Sequence, residues 1–121
     1  MSLRDDLNSA WQWRESAGIL KRSPAVRVFH GPGEASGKEG AGLLIERFGT
    51  GFWIFEREGA GTPARESTVL EFLKAHGARR AVWLRRPKKG VPEEVECVLG
   101  EDTDPVILEE GSLRMQIRFK D

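Results

Sequence analysis

The sequence is poor in the residues that build metal sites and covalent crosslinks. It has one cysteine, Cys97, and two histidines, His30 and His76, in 121 residues. A single cysteine excludes an intramolecular disulfide and a metal cage made only of cysteines. Two histidines outside a His-Glu-x-x-His pattern do not make a catalytic zinc site. We interpret Cys97 as a small core residue and His76 as a helix C-terminal residue that complements the helix dipole.

Signatures of cofactor binding are also missing. Gly31-Pro32-Gly33 lacks the third glycine of a dinucleotide fingerprint, and Gly37-Lys38 is followed by Glu39 instead of serine or threonine. No spacing specifies a nucleophilic pair between Cys97 and either histidine. The acidic residues near 93–96 and 109–110 are interpreted as solvated strand and hairpin positions. We therefore expect no cofactor, no metal and no complete active site.

Long apolar runs are absent. Stretches such as residues 42–45 and 81–84 are far shorter than the roughly 18 residues that a membrane helix needs. The amino-terminal segment contains Asp5, Asp6, Arg14 and Glu15 and no apolar core of a secretory signal. These features predict a cytoplasmic protein with no membrane partner.

The composition is that of one folded domain. Four Trp, six Phe and 39% hydrophobic residues argue against a disordered tail. At this length a single modest core is expected. We predict one domain at 1–121, with a leading helix at 1–22 and an α+β core at 26–121.

Two segments have helical periodicity. Residues 3–20 place apolar side chains near a 3.6-residue period, with Ser2 as N-cap and Asp5 three positions later. Residues 65–76 predict a second helix that ends at Gly77, a typical C-cap glycine. Its expected buried face consists of Val69, Leu70, Phe72 and Leu73.

Short apolar or alternating runs predict strands at 26–30, 43–48, 52–57, 80–85, 94–99, 106–109 and 113–119. Gly49-Thr50-Gly51 and Glu110-Gly111-Ser112 predict hairpins, and the glycine-rich segment 31–40 a mobile loop. In the last strand Leu113, Met115, Ile117 and Phe119 are expected to point inward. The predicted fold is α+β, an amino-terminal helix followed by a mostly antiparallel sheet with one helix packed on it, as a two-layer sandwich.

The formal charge is zero but it is segregated along the chain, because residues 93–110 hold eight carboxylates and no Lys or Arg. Basic residues near an aromatic can hold phosphates while a base stacks, and Trp83 lies among the basic residues before that segment. The candidate RNA-binding residues are Arg79, Arg80, Arg85, Arg86, Lys88 and Lys89, together with Arg27 and His30. Two alternatives stay open: Trp83 and its neighbours form a half-exposed solvated face, or the acidic segment lies alongside and neutralises the basic run.

Three segments carry a resemblance to a known family: Arg27-Val28-Phe29-His30-Gly31 after a helix containing Trp13-Arg14-Glu15, then Leu44-Ile45-Glu46-Arg47-Phe48-Gly49, and finally Leu99-Gly100-Glu101 with residues 106–115. They resemble class I S-adenosylmethionine (SAM)-dependent methyltransferases that modify 23S ribosomal RNA at cytosine C5 or guanine N7. The resemblance implies the small α+β domain that lies between a PUA domain and the Rossmann-like catalytic domain.

The departures from the family pattern matter for activity. Glu46 stands where the family usually has aspartate, and Asp121 falls where the cofactor-binding domain would begin. Cys97 does not match the catalytic cysteine of the cytosine enzymes, so the resemblance carries over no catalytic residue. It implies a non-catalytic accessory domain whose partners are structured RNA and a catalytic methyltransferase domain or a second copy of itself.

Two other classes of function compete with this one. A protein-interaction or oligomerisation module would use an exposed apolar patch, and Trp11 and Trp13 on the first helix cannot both face one core. A small enzyme with an unrecognised site would need a deep pocket with convergent polar groups.

Overall fold

The computed structural model describes residues 2–22, 25–56, 63–85, 94–100, 106–110 and 113–117. The helices are α1 (Leu3–Ser16), α2 (Ile19–Arg22), α3 (Gly31–Glu34), α4 (Lys38–Ala41) and α5 (Pro63–Ala75). The strands are β1 (Ala25–His30), β2 (Leu43–Phe48), β3 (Gly51–Glu56), β4 (Arg80–Arg85), β5 (Glu94–Leu99), β6 (Val106–Glu110) and β7 (Leu113–Ile117).

The main sheet has five strands in the order β1-β2-β3-β4-β5. Every neighbouring pair is antiparallel except β3 and β4, which are parallel. Helix α5 lies between these two strands in the chain, and such a crossover returns the chain to the end of the sheet where β3 begins. Strands β6 and β7 form a separate antiparallel pair. The predicted α+β fold is confirmed, and the closing hairpin forms a sheet of its own. The side chains of the last strand that were predicted to point inward are not among those that the structure describes.

Helix α1 begins with the predicted cap. The Asp5 backbone N–H donates to Ser2 Oγ and the Ser2 N–H donates to Asp5 Oδ2, both at 3.1 Å, which satisfies two donors at the helix start. The predicted single helix over 3–20 is wrong at its end. Gly18 has a φ of 74°, a left-handed conformation that ends α1, and the short helix α2 follows.

None of the described helices is long and apolar enough to cross a membrane.

The core lies between one side of the main sheet and the helices α1 and α5. It is formed by Leu3, Leu7, Ala10 and Trp11 of α1, by Val69, Phe72 and Leu73 of α5, and by Val28, Phe29, Leu43, Ile45, Phe52, Ile54, Ala81 and Trp83 of the sheet. We call this side the helix face. Of the predicted inner face of α5, Leu70 is only half-buried.

Helix α5 ends as its sequence predicts. Gly77 has a φ of 80°, which suits glycine. The Ala78 N–H donates to the Leu73 carbonyl at 3.0 Å and the Gly77 N–H to that of Lys74 at 3.2 Å. These bonds satisfy carbonyls that the last turn would otherwise leave without partners, and they direct the chain into β4.

The segment predicted as a mobile loop forms α3 and α4 and is tied to α1. Arg14 is buried and donates to both carboxylate oxygens of Glu34, at 2.8 and 2.6 Å, and to the Arg27 carbonyl at 2.7 Å. Asp6 accepts from the Ser36 N–H and hydroxyl, each at 2.8 Å. Burial raises the pKa of Glu34, but hydrogen bonds from Arg14 and the His30 N–H outweigh it and leave this pKa below its usual value.

Candidate nucleic-acid interface

The second side of the main sheet carries three cross-strand rows of residues, and we call it the aromatic face. Partners in register share a face of a sheet, so the pairings define the rows. They are Ala25, Phe48, Gly51 and Arg80; Arg27, Glu46, Trp53 and Val82; and His30, Leu44, Phe55 and Leu84. Among the described residues, the helices α1 and α5 contribute their core side chains to the opposite side.

Three aromatic rings occupy the middle of this face. The rings of Phe48 and Trp53 lie 4.9 Å apart between centroids, and those of Trp53 and Phe55 lie 6.0 Å apart. All three side chains are half-buried, and Val82 beside Trp53 is fully buried. The rings therefore form one continuous apolar strip over β2 and β3.

Basic groups flank the strip on both neighbouring strands. Arg27 and His30 lie on β1, with 3.5 Å between Arg27 Nη1 and His30 Nδ1, and Arg80 lies on β4. Glu46 is the one carboxylate in the three rows, and its Oε1 lies 3.6 Å from Arg27 Nη2. Each row thus ends in one basic residue, and among the described residues the face carries more positive than negative charge.

Arg85, one of the predicted RNA-binding residues, does not lie on the aromatic face. Arg85 lies on the helix face, where it forms ion pairs with Glu66 at 2.9 Å, with Glu56 at 3.6 Å and with Glu96. Since Glu96 belongs to β5, the alternative in which the acidic segment neutralises the basic run holds for this residue. Because three carboxylates pair with it, Arg85 has a structural role in joining β3, β5 and α5.

Trp83 is placed differently from both alternatives that the sequence left open, a stacking residue for RNA and a part of a half-exposed solvated face. Its side chain is only 1% exposed, and its Nε1–H donates to Glu56 Oε2 at 2.6 Å. The strand alternation was interpreted correctly, since Trp83 and Arg85 share a face, but β4 is covered on the side that carries them. Trp83 is therefore a core residue and cannot stack on a base.

The remaining predicted residues divide between exposed and undescribed positions. Arg79 is exposed just before β4, and its backbone N–H donates to the Thr50 carbonyl at 2.9 Å. Arg86, Lys88 and Lys89 lie outside the described residues. Of the eight candidates, Arg27, His30 and Arg80 thus share one face of the sheet, with β2 and β3 between Arg80 and the other two.

The aromatic strip was missed at the level of sequence. A signal was present, because Phe52-Trp53-Ile54-Phe55 places large apolar side chains on both sides of β3. Such a strand needs apolar surroundings on both sides, whereas the described helices cover only one. Trp53 and Phe55, two positions apart, were therefore candidates for a second surface.

No group of three or more His, Cys, Asp or Glu side chains that could hold a metal ion occurs in the described part of the chain. His76 instead packs against aromatic rings. Its ring stacks on Trp11 with 3.9 Å between centroids and meets the edge of Phe72 at 4.9 Å. Burial lowers the pKa of His76, while nearby Glu15 raises it by a smaller amount.

The stacked His76 predicts a loss of stability in mild acid. Because the folded pKa lies below 6.5, the unfolded chain takes up this proton first as the pH falls. The stabilisation from the neutral His76 ring is therefore fully present above pH 6.5 and is lost as the pH falls from there through the folded pKa. Urea unfolding of wild type and His76→Phe at several pH values should show a steeper fall for wild type between pH 7 and 5. Since both proteins keep His30, parallel curves would contradict the assignment.

The architecture is that of an α+β domain with helices on one side of its main sheet, and it can be compared with known proteins. No family model and no curated protein matches the sequence. Two solved structures share the fold over 100% of this chain with a TM-score of 0.68 each. One is SMU.776, a candidate methyltransferase in complex with SAH, at 16% identity; the other is a candidate SAM-dependent methyltransferase from Streptococcus mutans, at 14% identity.

The match covers only part of each of those proteins. The chain spans 31% of the first and 32% of the second. At these identities the comparison establishes the fold. The chain therefore shares the fold of about one third of each of those two structures.

Proposed function

We propose that this chain is a non-catalytic accessory domain that binds RNA and holds it for a SAM-dependent methyltransferase domain. The proposal extends to cytoplasmic ribosomal RNA modification, which the resemblance of the sequence motifs to 23S RNA methyltransferases suggests. The fold supports an accessory role, because it corresponds to about one third of two candidate methyltransferases.

The observation that carries the proposal is the meeting of Arg27, His30 and Arg80 on one face. Arg80 is far in sequence from Arg27 and His30, and the sheet register places each of the three at the end of a row. Arg79, which directly precedes Arg80, is exposed. Cations spread over a sheet surface can contact successive phosphates and position a nucleic acid without reading its sequence.

The test is binding of an RNA hairpin with an unpaired loop, taken from large-subunit ribosomal RNA, at several salt concentrations. Fluorescence anisotropy should show an affinity that falls steeply with salt, because each phosphate contact releases counterions. The double variant Arg27→Gln/Arg79→Gln should weaken binding about tenfold at low salt. It should also flatten the slope of log affinity against log salt by about 0.7 to 0.9 for each lost contact.

The matched control is Lys21→Gln, which removes an exposed charge from α2, away from the aromatic face. Its binding should equal that of wild type. Equal losses in the control and the double variant would mean that only net charge matters. No binding of the wild-type chain at low salt would overturn the proposal.

One observation favours the second candidate, a protein-interaction module. Trp13 on α1 is 61% exposed, whereas Trp11 is buried, as expected for two residues that cannot face one core. An exposed tryptophan is a common anchor of a protein interface. Self-association that is insensitive to salt and is lost in Trp13→Ala would support this alternative.

A further inference from the structure

Strand β1 contains a bulge between two of the candidate RNA-binding residues. Its register with β2 shifts between Arg27 and Phe29, so that Val28 is an extra residue with no opposite residue on β2. Val28 and Phe29 are both fully buried, although successive residues of a regular strand point to opposite sides of the sheet. The bulge therefore turns two successive side chains into the core and changes the alternation of the strand at this point.

The bulge determines which residues of β1 share a face. Arg27 and His30 are three positions apart, and in a regular strand an odd spacing places two side chains on opposite sides of the sheet. With one extra residue between them they lie on the same side, and Arg27 Nη1 is 3.5 Å from His30 Nδ1. The Arg27 side chain is 47% exposed and His30 is half-buried, so solvent reaches both.

Two side chains from outside the sheet hold the backbone on either side of the bulge, and we call Arg14 and Glu34 the clamp. Arg14 Nε donates to the Arg27 carbonyl at 2.7 Å, and the His30 N–H donates to Glu34 Oε1 at 2.8 Å. The clamp residues are joined to each other by two hydrogen bonds, at 2.8 and 2.6 Å. In the described sheet β1 is an edge strand, so the clamp satisfies backbone groups that a neighbouring strand would otherwise pair with.

The clamp lies where it can stay ordered. The Arg14 side chain is only 10% exposed and that of Glu34 is 27% exposed. Hydrogen bonds that involve ionised groups are roughly twice as strong as those between neutral groups. A Cβ on Gly33 would come within 3.2 Å of His30 Cδ2, so the imidazole packs closely against α3. Both the backbone and the ring of His30 are therefore held in place.

We infer that the clamp positions the RNA-binding residues of β1: by holding the bulge, it keeps Arg27 and His30 side by side as one site for a phosphate of the RNA backbone. This rests on the proposed function and deepens it, because it adds two positioning residues that act on RNA without touching it. The guanidinium supplies charge and donors, and the imidazole N–H supplies a further donor. Glu46 Oε1 lies 3.6 Å from Arg27 Nη2, whereas Nη1 is the nitrogen that faces His30.

The decisive variant is Glu34→Gln, because charge and positioning predict opposite effects on RNA affinity. Removal of a carboxylate near the bound phosphate makes the chain more positive, so electrostatics alone predicts tighter binding. Glutamine has one acceptor oxygen where glutamate has two, so it cannot accept from Arg14 and from the His30 N–H as the carboxylate does. In anisotropy titrations with the ribosomal RNA hairpin at fixed salt, we expect the affinity to fall about threefold to tenfold.

Asp6→Asn is the matched control. Asp6 accepts two hydrogen bonds from Ser36 and so ties the same segment to α1, but these bonds leave the backbone of β1 untouched. The variant also removes one negative charge, and it should bind RNA as wild type does or slightly more tightly. In a background of Arg27→Gln, Glu34→Gln should have a much smaller effect, because the clamp acts through Arg27.

Urea unfolding shows whether each variant is folded under the binding conditions. If Glu34→Gln is not folded, Arg14→Lys decides in its place. Lysine keeps the charge but lacks the planar fork that joins Glu34 to the Arg27 carbonyl. We expect the same weakening of RNA binding at unchanged net charge, and wild-type affinity of this variant would contradict the role of the clamp.

The outcomes separate this inference from the proposed function. If Arg27→Gln/Arg79→Gln weakens RNA binding but folded Glu34→Gln binds as tightly as wild type or more tightly, the clamp is overturned and RNA binding stands. Equal losses in Asp6→Asn and Glu34→Gln would mean that any loosening of the segment after β1 weakens binding, which also overturns the specific role of the clamp. No RNA binding by wild type would overturn both.

Discussion

Replacing Glu56 by alanine is expected to lower the free energy of unfolding by about 3 to 5 kcal/mol, because it removes the anion from a buried group of cations. The Glu56 side chain is only 4% exposed and lies at the end of β3 on the helix face. Its Oε2 accepts from Trp83 Nε1 at 2.6 Å and lies 3.6 Å from Arg85 Nε. Its Oε1 lies 3.9 Å from Nη1 of Arg65, which is also buried. Alanine would leave the indole N–H without its acceptor and weaken the neutralisation of two arginines.

Urea unfolding at neutral pH measures this effect, and two variants calibrate it. Glu71→Ala removes a carboxylate whose ion pair with Arg4 is 2.7 Å long but lies between side chains 64% and 63% exposed. That variant should cost no more than about 1 kcal/mol, because solvent screens the pair. Glu56→Gln keeps the size and one acceptor oxygen and should fall between the two. If Glu56→Ala were as stable as Glu71→Ala, Glu56 would not be the centre of this cluster.

Local signals in the sequence predicted local structure well. The cap at Ser2 and Asp5 and the C-cap at Gly77 were recognised because each depends on residues within a few positions of one another. The hairpin between β2 and β3 follows from Gly49-Thr50-Gly51 for the same reason. Apolar periodicity alone predicted that the first helix continues to residue 20. Instead, Gly18 adopts the left-handed conformation and ends α1 before it.

The candidate interface was harder to predict, because it depends on which side of each strand is covered. Alternation placed Trp83 and Arg85 on one face but could not show that this face lies under α5. Likewise, Arg27 and Arg80 share a face of the sheet only because of the order and directions of the strands, with β3 and β4 parallel. Pairing between distant segments leaves no mark in a single sequence, so the basic cluster proposed from neighbouring residues was partly replaced by one assembled across the sheet.

Gly31 illustrates the same limit, and its replacement by alanine is expected to be among the most damaging changes of a single methyl group. The glycine-rich composition of residues 31–40 suggested mobility, whereas Gly31 is buried at the junction of β1 and α3. A Cβ there would collide with the carbonyl oxygen of Gly40 and lie 2.5 Å from that of Leu43. Because backbone atoms block the site, relief requires the segment between α3 and β2 to move. We expect a loss of about 3 kcal/mol or more, at the upper end of the cost of overpacking.

Gly37 provides the matched control within the same segment. A Cβ on Gly37 would meet nothing within 4 Å, and its φ of −146° suits any residue. Gly37→Ala should therefore be neutral or stabilise the fold by up to about 1 kcal/mol, because alanine restricts the unfolded chain. Urea unfolding of both variants separates a close backbone approach from a flexible loop. Similar small effects at the two positions would mean that residues 31–40 are as mobile as their composition suggested. The preceding residues Arg27 and His30 of β1 would then not be fixed in position by a rigid segment after them.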